Sequence, residues 1–120
     1  MQQHGVQNMR LHHGDFFISE KPMFPPCLLV SNPPYISPSD YESLDPVVQK
    51  DPKAALIAPQ NGCHVLVSSI HYCATHHLIY LAEMGHDQRE PLQQACSQWP
   101  LHIMSDITGH DRFVWYSPPD

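Results

Sequence analysis

Four consecutive residues, Asn32, Pro33, Pro34 and Tyr35, follow the run Leu28-Leu29-Val30-Ser31 and are the part of this 120-residue chain best suited to chemistry. Proline has no backbone N–H and a fixed φ, and a second proline pushes the first toward extended geometry, so the carbonyls here are stiff and short of local donors. Stiff acceptors suit an incoming NH2 group. The Asn32 side-chain oxygen and the Pro33 carbonyl can each accept one hydrogen of a planar amide or amino nitrogen, while Tyr35 stacks on its π face. A nitrogen gripped in this way is aligned with an electrophile, as N-methylation requires. The scheme needs no general base, because the nitrogen sheds its proton after attack and catalysis is mostly alignment. The plainer alternative is a strand end that needs only a proline turn, with Asn32 as turn former and Tyr35 as a lid on the core.

An apolar run broken by two prolines reads as a central strand delivering its last residues to the carboxyl edge of an open α/β sheet, where such folds keep their ligands. Other elements must hold it there. Met9 to His13 and Leu78 to Glu83 read as further strands, the latter apolar enough to be buried on both faces in a parallel sheet. Cys63, Leu66, Val67, Ile70, Cys73 and Ala74 fall at helical spacing and give one face to pack on the sheet. A second helix is expected from about Gln88 to Gln98, with Asp87 as N-cap, Pro91 in its first turn, and Leu92, Ala95, Cys96 and Trp99 as its buried stripe. Pro100 stops it. Leu101 to Met104 and Phe113 to Tyr116 then read as two strands joined by the turn from Thr108 to Arg112, while residues 18–26 and 37–62 read as loops.

Composition bounds the function. Twelve acidic residues against six basic ones give a formal charge of −6, and no run of Lys and Arg could neutralise a phosphate backbone, so nucleic acid is a poor partner. No stretch approaches the length of a membrane span. Cys27, Cys63, Cys73 and Cys96 lie in or beside apolar segments without Cys-x-x-Cys spacing and read as reduced core residues. Cys63, His64, His71, Cys73, His76 and His77 form a dense cluster, yet a helix here turns both cysteines inward and no common zinc spacing is present, so no metal is expected.

The tetrapeptide after its strand resembles that of amino-methylating enzymes dependent on S-adenosylmethionine (AdoMet), and the order of features along nearly the whole chain resembles the HemK/PrmC family of protein-(glutamine-N5) methyltransferases. Gln7 to Phe17 is similar to the family's third strand and acidic-aromatic ending. Ile36 to Tyr41 and Asp51 to Leu56 are similar to its substrate-side loop, although Pro59-Gln60-Asn61-Gly62 keeps only the last glycine of the family's pair. Ile79 to Gln88 resembles the fifth strand and following turn, and Asp106 to Arg112 the closing hairpin, with His110 replacing an arginine. The resemblance implies an incomplete Rossmann-like class I fold: three αβα layers, a mostly parallel sheet and a closing antiparallel hairpin. It implies AdoMet as cofactor, with Asp15, Phe16 and Asn32 as its contacts, and Asn32, Pro33, Pro34 and Tyr35 as catalytic and substrate-binding residues. Asp15 reads equally as a strand-end cap. The implied substrate is the Gly-Gly-Gln loop of a peptide-chain release factor, in the cytoplasm or a mitochondrion. Glu83, at the end of an apolar strand, either sits near the site or rides on the sheet edge, and the edge is the preferred reading.

Within that frame residues 1–26 hold an adenine-side strand and loop, residues 27–62 the tetrapeptide strand and substrate loop, and residues 63–120 a helix-strand-helix-hairpin unit. The five glycines contain no Gly-x-Gly-x-Gly, so the family's first two strands and glycine-rich loop have no counterpart in this sequence. The expectation is a fragment, or one half of a protein whose partner chain supplies the rest, with an exposed edge at Leu28 to Val30. Two other readings stay open: an adenine-N6 methylator of DNA or RNA, which shares the tetrapeptide, and a non-catalytic remnant or binding subunit.

Overall fold

A computed structural model describes residues 28–58 and 62–119, together with Gly5, residues 7–9, Leu11, His13 and Gly14. Its centre is a four-stranded sheet in the order β1-β2-β4-β3, formed by β1 (Leu28–Ser31), β2 (Ile79–Glu83), β3 (Leu101–Ser105) and β4 (Asp111–Tyr116). β1 and β2 are parallel, with Leu28 opposite Ile79 and Ser31 opposite Ala82. A parallel pair needs a long crossover, and α3 (His64–His76) provides it. β4 pairs antiparallel with both β2 and β3, so the closing hairpin is present as expected. Among the described residues the sheet is mixed instead of mostly parallel, with one parallel pairing and two antiparallel ones, the β3–β4 hairpin and the β2–β4 pairing that joins it to the sheet.

The core lies on one face. Tyr80 and Ala82 of β2 and Val114 and Tyr116 of β4 point the same way and are almost wholly buried. Leu66, Ile70 and Cys73 of α3 cover them, joined by Leu92 and Cys96 from α4 (Arg89–Ala95) and its end. Fully burying a side chain of this size contributes roughly 1.5–3 kcal/mol, which makes this cluster the main support of the site. The helical spacing read for α3 therefore holds, and Cys63, Cys73 and Cys96 are buried free thiols. Burial keeps these thiols protonated, pushing Cys73 and Cys96 up to about 11.

The opposite face is only half covered, which corrects the expectation that β2 is buried on both sides. β2 alternates between buried and partly buried residues, and on β1 Leu28 and Val30 are exposed. The physical reason is that α3 packs on β2 and α4 beside α3, so the described residues supply one helical layer where three αβα layers in all were expected. β1, read as central, is the edge strand of the described sheet. Of the strand expected at Met9 to His13, the described positions Met9, Leu11 and His13 lie in no strand, and Met9 and Leu11 are exposed. Residues 18–26 lie outside the described residues.

Three smaller readings also change. Residues 37–62 are not all loop: α1 (Pro38–Tyr41), a 3-10 turn at Val48–Lys50 and α2 (Lys53–Leu56) lie within them. The start of α1 was legible, since Ser37 caps the Asp40 amide at 3.2 Å and Pro38 takes the first helical position. α4 is capped at Gln88 with no side-chain bond, instead of at Asp87, and its Ala95 faces solvent. Among the described residues no helix is long and apolar enough to cross a membrane, and no group of three or more His, Cys, Asp or Glu is placed to hold a metal ion.

Candidate functional site at the carboxyl edge of the parallel pair

β1 ends at Ser31, whose hydroxyl lies 2.8 Å from the hydroxyl of Tyr80 on the neighbouring strand. That contact satisfies the polar end of a buried tyrosine and fixes the point where the chain leaves the sheet. Asn32 follows, exposed and with no hydrogen bond to a described residue, while Pro33 is buried and Pro34 partly so. Among the described residues no backbone amide donates to the carbonyl of Pro33 or Pro34. The tetrapeptide thus stands at the carboxyl ends of two parallel strands, with Asn32 exposed and two proline carbonyls to which no described backbone amide donates.

Tyr35 is held at both ends. Its hydroxyl donates to Glu83 Oε1 at 2.8 Å, and its carbonyl accepts from Gln88 Nε2 at 2.9 Å. Gln88 is 2% exposed, and its other amide atom, Oε1, accepts from the Gly85 N–H at 2.8 Å. Behind the same carbonyl lies Gly62 with φ +77°, close enough that no side chain fits between them. Gly62 is therefore a position where both the backbone conformation and the space beside Tyr35 require glycine.

The next residue is pinned as well. Ile36 donates to the Leu56 carbonyl at 3.0 Å and accepts from the Ala58 amide at 3.0 Å, forming an isolated parallel bridge with Ile57. Residues 37–56 consequently leave and return at one point. Between this excursion and the β2–α4 turn lies a cleft of about 590 Å³, with Tyr35 in its wall beside Ser37, Asp40, His86 and Asp87.

Charge at the site comes from β2 and from the hairpin. Burial first, and then the Glu83 carboxylate, raise the Tyr35 hydroxyl above its ordinary range, and Arg112 opposes them. Arg112 Nε is tied to Asp106 Oδ2 at 3.2 Å. Asp106 in turn accepts from the Thr108 amide at 2.8 Å, the Thr108 hydroxyl at 2.6 Å and the His110 amide at 3.2 Å. The tight turn this demands uses Gly109 at φ +86°.

Of the site residues read from sequence, the structure brings Asn32, Pro33, Pro34 and Tyr35 to one sheet edge, whereas Asp15 and Phe16 lie outside the described residues. Glu83 is a correction. β2 is an interior strand, so its last residue does not ride on a sheet edge but stands at the carboxyl end beside β1, within reach of Tyr35. Gln88 and Arg112 were not identified from the sequence at all. A signal for Gln88 did exist, since a Gln directly before an amphipathic helix and three residues after a glycine can close on that glycine's amide.

No family model matches the chain. Over 96 residues it is 37% identical to the release factor glutamine methyltransferase of Enterococcus faecalis, an alignment covering 72% of this chain and 34% of that protein. Over 92 residues it is 33% identical to the protein of the same name from Deinococcus radiodurans, covering 72% and 33%. The relative of that name from Fusobacterium nucleatum is 32% identical over 117 residues, which is 91% of this chain and 33% of the relative. The chain thus spans about a third of the length of the curated relatives it matches.

Proposed function

Since this chain belongs by sequence with the release factor glutamine methyltransferases, we propose that it carries the amide-gripping part of an AdoMet-dependent enzyme that methylates the side-chain nitrogen of a glutamine in a peptide-chain release factor. The observation that carries this reading is the exposed Asn32, without a hydrogen bond to a described residue, followed by two carbonyls to which no described backbone amide donates, at the carboxyl edge of the parallel strands. Acceptors in that state suit a carboxamide NH2, whose two hydrogens need two oxygens.

Asn32 fits a place between substrate and methyl donor because it is exposed and owes no bond to a described residue. AdoMet, when bound, supplies a methyl group on a positively charged sulfur. The Asn32 side-chain oxygen and the Pro33 carbonyl hold the amide plane and raise the electron density on its nitrogen. Tyr35, fixed by Glu83 and Gln88, walls the amide on one face. Alignment of this kind is worth several kcal/mol of barrier when the reacting atoms stand at roughly 3–3.5 Å. The cleft supports a peptide substrate, since Tyr35 stands in its wall between two largely polar segments.

The test is transfer of a labelled methyl group from AdoMet. The chain is assayed alone and grafted in place of the matching third of the Enterococcus faecalis relative, with a release factor and with DNA and RNA as acceptors. The expected result is label on the release factor, lost when the glutamine of its Gly-Gly-Gln loop is replaced by alanine. Label on nucleic acid alone, or none from the graft, overturns the reading.

A further inference from the structure

Glu83 and Gln88 lie only five positions apart, at the end of β2 and just before α4, yet they take hold of opposite ends of the same residue. Glu83 accepts the Tyr35 hydroxyl hydrogen at 2.8 Å and Gln88 donates to the Tyr35 carbonyl at 2.9 Å. Neither partner lies near Tyr35 in sequence, the separations being 48 and 53 residues. Two long-range bonds, one to the phenol oxygen and one to the backbone carbonyl, fix where the long axis of the ring begins and ends. Gln88 is itself locked through the Gly85 amide, so its own rotation cannot release the carbonyl.

We propose that the segment from Glu83 to Gln88 is a positioning device for Tyr35, with Glu83 setting the direction of the phenol and Gln88 the height of the backbone, so that the axis of the ring is held in place beside the substrate amide. The part of this inference that concerns the amide rests on the function proposed above. The part that concerns Tyr35 does not. Glu83 and Gln88 touch no reacting atom in this scheme and act only through Tyr35. Among the described residues Glu83 and Arg112 are the charged groups that act on the phenol, and they pull on its proton in opposite directions. Arg112 comes from β4, where it is itself tied to Asp106, so the closing hairpin shares in the setting of the ring.

The experiment uses the chain as it is, labelled with 13Cζ-tyrosine, with the Tyr35 signal assigned among the five tyrosines by Tyr35→Phe. Tyr35 is expected to titrate above the ordinary value of about 10. Glu83→Gln, which keeps shape and removes charge, is expected to move that midpoint down toward the ordinary value. In the unaltered chain the Gln88 side-chain NH2 is expected to be protected from solvent exchange, a readout that needs no variant to fold. An unmoved Tyr35 midpoint in Glu83→Gln, or a freely exchanging Gln88 amide, overturns the proposal.

In the methyl-transfer assay Glu83→Gln is expected to lower kcat roughly ten- to a hundredfold with little change in KM, the size of effect that a small misplacement produces. In a Tyr35→Phe background the same change is expected to add nothing, whereas a merely structural role for Glu83 would add its own loss. A held Tyr35 with no methyl transfer from the graft sinks the proposed function and leaves the positioning intact.

Discussion

Gly62 lies so close to Tyr35 that a Cβ built on it would stand 1.9 Å from the Tyr35 carbonyl oxygen, and its φ of +77° is in the left-handed region. Both features demand glycine, one by space and one by backbone conformation. Gly62→Ala is expected to destabilise the fold by about 2–4 kcal/mol, combining the positive-φ penalty with a forced backbone shift. Urea unfolding of the two proteins measures this, and a change below about 1 kcal/mol would show that the tetrapeptide is not pressed against this turn.

Asn32 should separate activity from stability. It is exposed and makes no hydrogen bond to a described residue, so Asn32→Ala is expected to change stability by no more than about 0.5 kcal/mol. Losing one of two acceptors for the reacting group is expected to cut methyl transfer by the grafted enzyme at least about a hundredfold. A parallel loss of both would return Asn32 to the role of a turn residue.

Acid is expected to loosen the hairpin first. The hydrogen bond from the Thr108 hydroxyl, with further bonds from the Thr108 and His110 amides and from Arg112, holds the Asp106 carboxyl well below its ordinary range. Asp111 is likewise lowered, chiefly by its hydrogen bond from Arg89, which reaches both oxygens at 2.6 Å. A carboxyl with a depressed folded pKa contributes stability that is fully present above its unfolded value, about 3.9, and is lost as pH falls below it. Stability is therefore expected to drop with falling pH below about 4, and Asp106→Asn to flatten that drop. Denaturant unfolding of both proteins from pH 5 to pH 2 compares the slopes.

The buried thiols should be inert until the chain opens. Cys73 and Cys96 are fully buried and raised to about 11, and Cys63 is raised by burial and by Asp87. Because the thiolate is the nucleophile, alkylation by iodoacetamide at pH 8 is expected to be slow in the native state and to accelerate in urea along with unfolding. Mass spectrometry of the three sites follows the reaction, and rapid native labelling of Cys73 would contradict the packing of α3 on the sheet.

Local sequence determined the elements whose signals are local. The run Leu28 to Ser31 with prolines behind it specified a strand and its exit, and the spacing of Leu66, Ile70 and Cys73 specified a helix with one apolar face. Pro100 precedes the closing hairpin and Gly109 lies in its turn, and both strands were legible, although β4 starts at Asp111, inside the stretch read as turn. The tetrapeptide itself was legible as two stiff acceptors because proline acts on its own backbone. What anchors it was not. Glu83 at the end of an apolar strand reads alike on an edge or in the interior, and only the pairing of β2 between β1 and β4 brought it to Tyr35. Gln88 has no periodic signature, and its bond spans 53 residues. Periodicity and turn chemistry act between near neighbours and so can be read along a chain, whereas a contact between distant side chains exists only once the sheet order has set which strand ends meet.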